Sequence, residues 1–134
     1  MRWQLIESDE ALQRLLEQHQ SCEVVIVDTE FMRRNTFYPE VALVQLCFVS
    51  EESDTDIAWL IDPLCIDNPA PLADLLSNPA VLKVLHSVSE DLEVFQRWLN
   101  VLPQPLFDTQ RAAALLNRGF GLGYRTLVQD ICAI

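Results

Sequence analysis

The period of the hydrophobic pattern changes along the chain, and each change marks an element. Arg2-Trp3-Gln4-Leu5-Ile6 alternates polar and apolar residues as a strand does. Ser8, followed by Asp9 and Glu10, has the form of a helix N-cap with an acidic first turn, and Leu12, Leu15, Leu16 and His19 continue at helical spacing. Val24-Val25-Ile26-Val27 is an unbroken β-branched run, the pattern of a strand covered on both faces, and it enters polar Asp28-Thr29-Glu30. Residues 41–48 and 57–61 predict two further strands, separated by an acidic turn over 51–56, and the short connections suit a meander. Beyond Pro69 the pattern predicts a short helix over 71–76, a buried strand over 81–85 and an amphipathic helix over 89–99. After a loop containing Pro103 and Pro105, two more helices are expected over 109–117 and 124–131. Strand, helix, three strands, then alternating helix and strand make an α/β domain with a mixed sheet.

Composition narrows this reading. A chain of 134 residues, 50% hydrophobic, is long enough for one core and too short for two, so residues 1–134 are read as one domain. Cys22, Cys47, Cys65 and Cys132 stand far apart without a CxxC pair, and three lie in or beside apolar runs. Buried free thiols in a reducing compartment are expected ahead of a zinc site or disulfide framework. No apolar run is long enough to cross a bilayer, and Glu7, Asp9 and Glu10 close behind Met1 are unlike a signal peptide, which points to a cytoplasmic protein without a membrane partner. The formal charge of −11 argues against a protein that coats duplex nucleic acid, because such proteins are basic. It argues less against a site where divalent cations offset clustered carboxylates.

Two acidic segments carry candidate chemistry. In Val27-Asp28-Thr29-Glu30-Phe31 the acids sit at alternate positions of an extended run and leave the same face of the strand. Their mutual repulsion calls for solvent, a shared proton or cations, and hard oxygen ligands on a strand suit Mg²⁺ or Mn²⁺. Taken alone, such a triplet is more often a solvated strand end. In His86-Ser87-Val88-Ser89-Glu90-Asp91-Leu92 a strand ends and a helix begins, which puts Asp91 in the first turns of that helix. Acids at a helix N-terminus are also favoured by the macrodipole without any catalytic duty. Both segments follow buried strands, and functional groups of open α/β sheets gather at the carboxyl ends of strands, so Asp28, Glu30 and Asp91 are expected to converge on one cleft there.

These segments, with Tyr38-Pro39, Val44-Gln45-Leu46 and the run from Leu102 through Pro103, Pro105 and Phe107 to Asp108-Thr109-Gln110, closely resemble the ribonuclease D-like members of the DEDD family of 3′–5′ exonucleases. The resemblance covers essentially the whole chain. It implies a ribonuclease H-like mixed β-sheet flanked by helices and trimming of single-stranded RNA, including tRNA precursors, from the 3′ end with two divalent metal ions, Mg²⁺ or Mn²⁺. It implies that Asp28 bridges the two metals, that Glu30 binds the one generating the hydroxide, and that Asp91 acts on the other. By the same resemblance Thr29, Phe31, Gln45 and His86 are candidates for substrate contact, each also readable as a packing residue.

The chain departs from the family's pattern at a third motif, Tyr-x-x-x-Asp on a later helix. Tyr124 is followed four positions on by Val128, and Asp130 stands at the wrong spacing and reads as a solvated helical acid. Asp108, before a predicted helix, reads as an N-cap. The resemblance therefore implies the N-terminal, larger part of an exonuclease domain without its C-terminal helices, weak or inactive as it stands. A non-catalytic RNA-binding or interaction module with the same fold, and a DNA proofreading-type exonuclease, are the alternatives.

Overall fold

The computed structural model describes residues 2–49 and 57–134, so the expected acidic turn over 51–56 lies outside the described residues. The elements run β1 (Arg2–Ile6), α1 (Asp9–Gln18), β2 (Val24–Met32), β3 (Glu40–Val49), β4 (Ile57–Ile61), a 3₁₀ turn (Pro63–Cys65), α2 (Ala70–Ser77), β5 (Leu82–Leu85), α3 (Ser89–Leu99), β6 (Leu106–Asp108), α4 (Thr109–Leu115) and α5 (Tyr124–Cys132). They form one six-stranded sheet in the order β1-β4-β3-β2-β5-β6. β2, β3 and β4 make the expected antiparallel meander, and β1, β5 and β6 add in parallel. Every strand except β3 therefore ends at the same edge of the sheet.

Register sorts the side chains onto two faces. Val25, Val27 and Thr29 of β2 share a face with Phe48, Leu46 and Val44 of β3 and with Lys83 and Leu85 of β5. This face is covered: Leu12 and Leu15 of α1, Leu72 and Leu76 of α2, and Phe95 of α3 join the strand residues in one core. Ser8 caps α1 as expected, its Oγ accepting the Ala11 N–H at 3.2 Å. The other face carries Ile26, Asp28 and Glu30 with Cys47, Gln45 and Leu43 opposite them, and it is open. The expectation that β2 is covered on both faces is thus corrected: Val25 and Val27 are buried, whereas Ile26 is 44% exposed.

Two further differences concern places without a periodic signal. β6 is a strand of three residues where a loop was expected, recruited by pairing with β5 after the cis Gln104–Pro105 bond. The cysteines are free, but only Cys22 is buried; Cys47 is partly covered, and Cys65 and Cys132 are exposed. An apolar neighbourhood in sequence does not bury a thiol that faces out of a 3₁₀ turn or ends a helix. No described helix is long and apolar enough to cross a membrane.

Candidate active site

The site is built at the edge where β2 and β5 end. Strand alternation sends the side chains of Asp28 and Glu30 to the open face and that of Thr29 to the helix-covered face. Gln45, directly opposite Asp28 on β3, donates from Nε2 to Asp28 Oδ2 at 3.1 Å. Partial burial of the Asp28 carboxyl, and then the negative charge of Glu30 beside it, raise its pKa above the ordinary aspartate value.

Asp91 is reached from the other side. α3 contacts β2 and β3 and turns Asp91 inward, leaving it 6% exposed. Thr29 donates from Oγ1 to Asp91 Oδ1 at 2.5 Å. Burial pushes the Asp91 carboxyl up to about 6; the Thr29 bond works against that rise, and the charge of Asp28 adds to it. Among the described residues no lysine or arginine forms an ion pair with Asp28, Glu30 or Asp91. Arg33, on the segment after β2, pairs instead with Glu93 at 2.8 Å and Glu90 at 3.7 Å on α3. A desolvated carboxylate beside Asp28, which itself adjoins Glu30, is a donor set that fits hard divalent cations. Asp28 is the electrostatic neighbour of both Glu30 and Asp91, and the three do not form a closed ligand shell. The trio of ligand-type groups with atoms within 4.8 Å of one another, among the described residues, is instead Glu7, Asp62 and Cys65, at the ends of β1 and β4.

The remaining sequence candidates fall around this centre. Phe31 is partly buried, with the Arg33 guanidinium 6.0 Å from its ring centroid. His86, at the end of β5, has both ring nitrogens engaged. Nε2 donates to the Leu122 carbonyl at 2.9 Å, and Nδ1 lies 2.8 Å from the Thr109 hydroxyl. Tyr124 packs edge-on against the ring, with centroids 5.7 Å apart. The loop that brings Leu122 there turns through Gly121 at φ 64°, a left-handed conformation that glycine adopts without strain. Asp130 is a surface acid 3.9 Å from Arg118, as its reading as a solvated helical residue expects. Asp108 caps α4 and also reaches the turn before α3, a second role that no local pattern announces.

Comparison with known proteins places the chain in a family. The chain is 45% identical over 131 residues to ribonuclease D of Pseudomonas paraeruginosa, covering 98% of this chain and 33% of that protein. It superimposes on the crystal structure of Escherichia coli RNase D, described as an exoribonuclease involved in structured RNA processing, with a TM-score of 0.90 and 40% identity over 100% of this chain and 34% of that one. Brucella melitensis NrnC with bound Mg²⁺ shares the fold at a TM-score of 0.75 and 22% identity, over 100% of this chain and 63% of that one. The chain spans about a third of the length of the curated relatives it matches. The family described as 3′–5′ exonuclease matches residues 3–134, and the chain belongs to that family.

Proposed function

We propose that this chain forms the N-terminal, larger part of a 3′–5′ exoribonuclease domain that trims single-stranded RNA ends by two-metal-ion phosphodiester hydrolysis. The observation that carries the reading is the buried Asp91 carboxylate, bonded to Thr29 beside Asp28 and, among the described residues, without a lysine or arginine ion-pair partner. Asp28, Glu30 and Asp91 would hold the metals, Mg²⁺ or Mn²⁺. Bound divalent cations supply an attacking water of lowered pKa and positive charge for the leaving 3′ oxygen.

The protein's own residues act by orientation. Gln45 orients Asp28 through one of its oxygens, and Thr29 orients Asp91 through one of its own. Phe31 offers an aromatic edge for a base without sequence preference. His86, held by Thr109 and Leu122, shapes the wall of the site. The similarity to an exoribonuclease involved in structured RNA processing supports RNA as the substrate, and tRNA precursors in the cytoplasm are the substrates the resemblance implies.

The chain alone is expected to hydrolyse RNA poorly, because no Tyr-x-x-x-Asp stands within it to complete the metal shell and align the water. Groups that act as a unit lose several orders of magnitude together when one is missing. The experiment compares residues 1–134 with a version extended through such a motif, on single-stranded RNA with a free 3′ hydroxyl and Mg²⁺ or Mn²⁺. Release of mononucleotides by the extended form, abolished by Asp28→Ala and Asp91→Ala, is the expected result. Equal rates from both forms would mean that an acid within 1–134 completes the site, and retained activity in the alanine variants would remove the metal assignment.

A further inference from the structure

The helix that carries Asp91 begins without a cap of its own. Val88 occupies the N-cap position of α3 and has no side-chain acceptor. The preceding residue, Ser87, sits at φ 58°, a left-handed conformation unfavourable for serine. Such a turn persists when its surroundings hold it.

The holder comes from the end of β6. Asp108 Oδ2 accepts the Val88 N–H at 3.1 Å, and Oδ1 accepts the Ser87 N–H at 3.1 Å. Oδ1 also accepts the Gln110 N–H at 2.8 Å and the Arg111 N–H at 3.3 Å, the ordinary capping bonds of α4. One side chain, 7% exposed, thus serves two helix starts. Burial raises its pKa, but the bonds from Val88, Ser87, Arg111 and Gln110 outweigh burial and leave the group below its ordinary value, so it stays ionised. Its neighbour Thr109 extends the same clamp, placing its hydroxyl between the Leu85 carbonyl at 3.3 Å and His86.

We infer that Asp108 is a positioning residue for the carboxylate site: by anchoring the first turn of α3 it sets the height and rotation at which Asp91 meets Thr29 and Asp28. Asp91 lies within one turn of Val88, so a slip of that turn by one residue rotates it by roughly 100° and ends its bond to Thr29. This inference rests on the metal-site reading of Asp28, Glu30 and Asp91.

The test uses Asp108→Asn and Asp108→Ser in the 134-residue chain. Asparagine keeps one acceptor oxygen for α4 and Ser87 but turns an amide donor toward the Val88 N–H; serine keeps the cap of α4 and is one bond shorter. Ser8→Ala removes a comparable cap from α1, away from the site, and is the control for stability loss alone. Mn²⁺ affinity by calorimetry, and amide hydrogen exchange resolved by residue, are the readouts. The expected result is roughly tenfold weaker Mn²⁺ binding in both Asp108 variants, as for loss of a group that orients a metal ligand. Exchange should quicken in the first turn of α3 while α4 stays protected in the asparagine variant, and Ser8→Ala should leave Mn²⁺ affinity unchanged. Unaltered Mn²⁺ affinity in folded Asp108 variants would overturn the inference. If the wild-type chain bound no Mn²⁺, the metal reading would fail separately. The amide shifts of Thr29 and Asp91 in Asp108→Asn would then decide the positioning role, and shifts unchanged from wild type would overturn it.

Discussion

Asp91 and Lys83 are both buried ionisable groups, with opposite surroundings. Asp91 has only neutral donors, the Thr29 hydroxyl and the backbone N–H groups of Thr29 and Asp91, and the charge of Asp28 nearby, so its own charge is tolerated at a cost. Asp91→Asn keeps an acceptor for Thr29 and removes the desolvated charge. In EDTA at neutral pH it should stabilise the chain by roughly 1–3 kcal/mol, the free energy of a carboxyl whose pKa burial raises to about 6. The rise in thermal midpoint that Mn²⁺ gives the wild type should be absent from the variant, and an undiminished rise would dissociate Asp91 from metal binding. Lys83, wholly buried on β5, donates from Nζ to the carbonyls of Asn78 at 2.6 Å and Gln104 at 2.9 Å. Burial lowers its pKa from 10.5 to about 8. Between those values the unfolded chain binds a proton that the folded chain does not, so this group adds stability as pH rises through that window. A neutral amine still has two N–H donors for its two carbonyls. Urea unfolding at pH 8, 9 and 10 should show that increase in the wild type and a flatter profile in Lys83→Met; identical profiles would remove the assignment.

At the scale of elements, β2 shows what pattern alone conveys. Four consecutive β-branched residues read as a strand covered twice over, yet register with β3 and β5 places Val25 and Val27 in the core and Ile26 on the open face. Val25→Ala should cost about 2 kcal/mol, from lost burial and the cavity left behind. Ile26→Thr, on the open face and still β-branched, should cost less than about 1 kcal/mol. Equal losses in denaturant titrations would mean that Ile26 is covered in solution. The helices were legible for a different reason. α3 has an apolar stripe at helical spacing, and α1 adds an N-cap that its side chain fulfils, so local chemistry and tertiary packing agree. β6 had no such agreement, because three residues after a proline-rich loop become a strand only through β5.

For the whole molecule, the asymmetry between the two faces of the sheet organises everything else. α1, α2 and α3 cover one face and supply the core, while the other presents Asp28 and Glu30 within a surface that includes Ile26, Val49 and Phe107. The site lies at the edge between these faces, where β2 can offer Asp28 and Glu30 on one side and Thr29, with Asp91 behind it, on the other. The negative charge of the chain is compatible with that arrangement, because the proposed chemistry uses bound cations for local positive charge. It also predicts that added divalent cations act on the wild type through specific sites at millimolar concentration and through screening only at higher ionic strength.

The sequence alone determined the order of the elements apart from β6, the candidate acids and the family. Periodicity and capping are local signals, and Asp28, Glu30 and Asp91 stand in an order and spacing that short segments preserve. Tertiary structure decided which side chains meet. Nothing near Asp108 in sequence marks it as the anchor of α3, because Ser87 and Val88 reach it only once β6 lies beside β5. Nothing near His86 shows that both its nitrogens are spent, because one partner is a carbonyl in the loop before α5. Thr29 was legible as a neighbour of two acids, but its bond to a third required α3 to fold back over β2. Local patterns specify what each segment can become, and non-local pairing fixes the hydrogen bonds that bring Asp91 to Thr29 and Gln45 to Asp28.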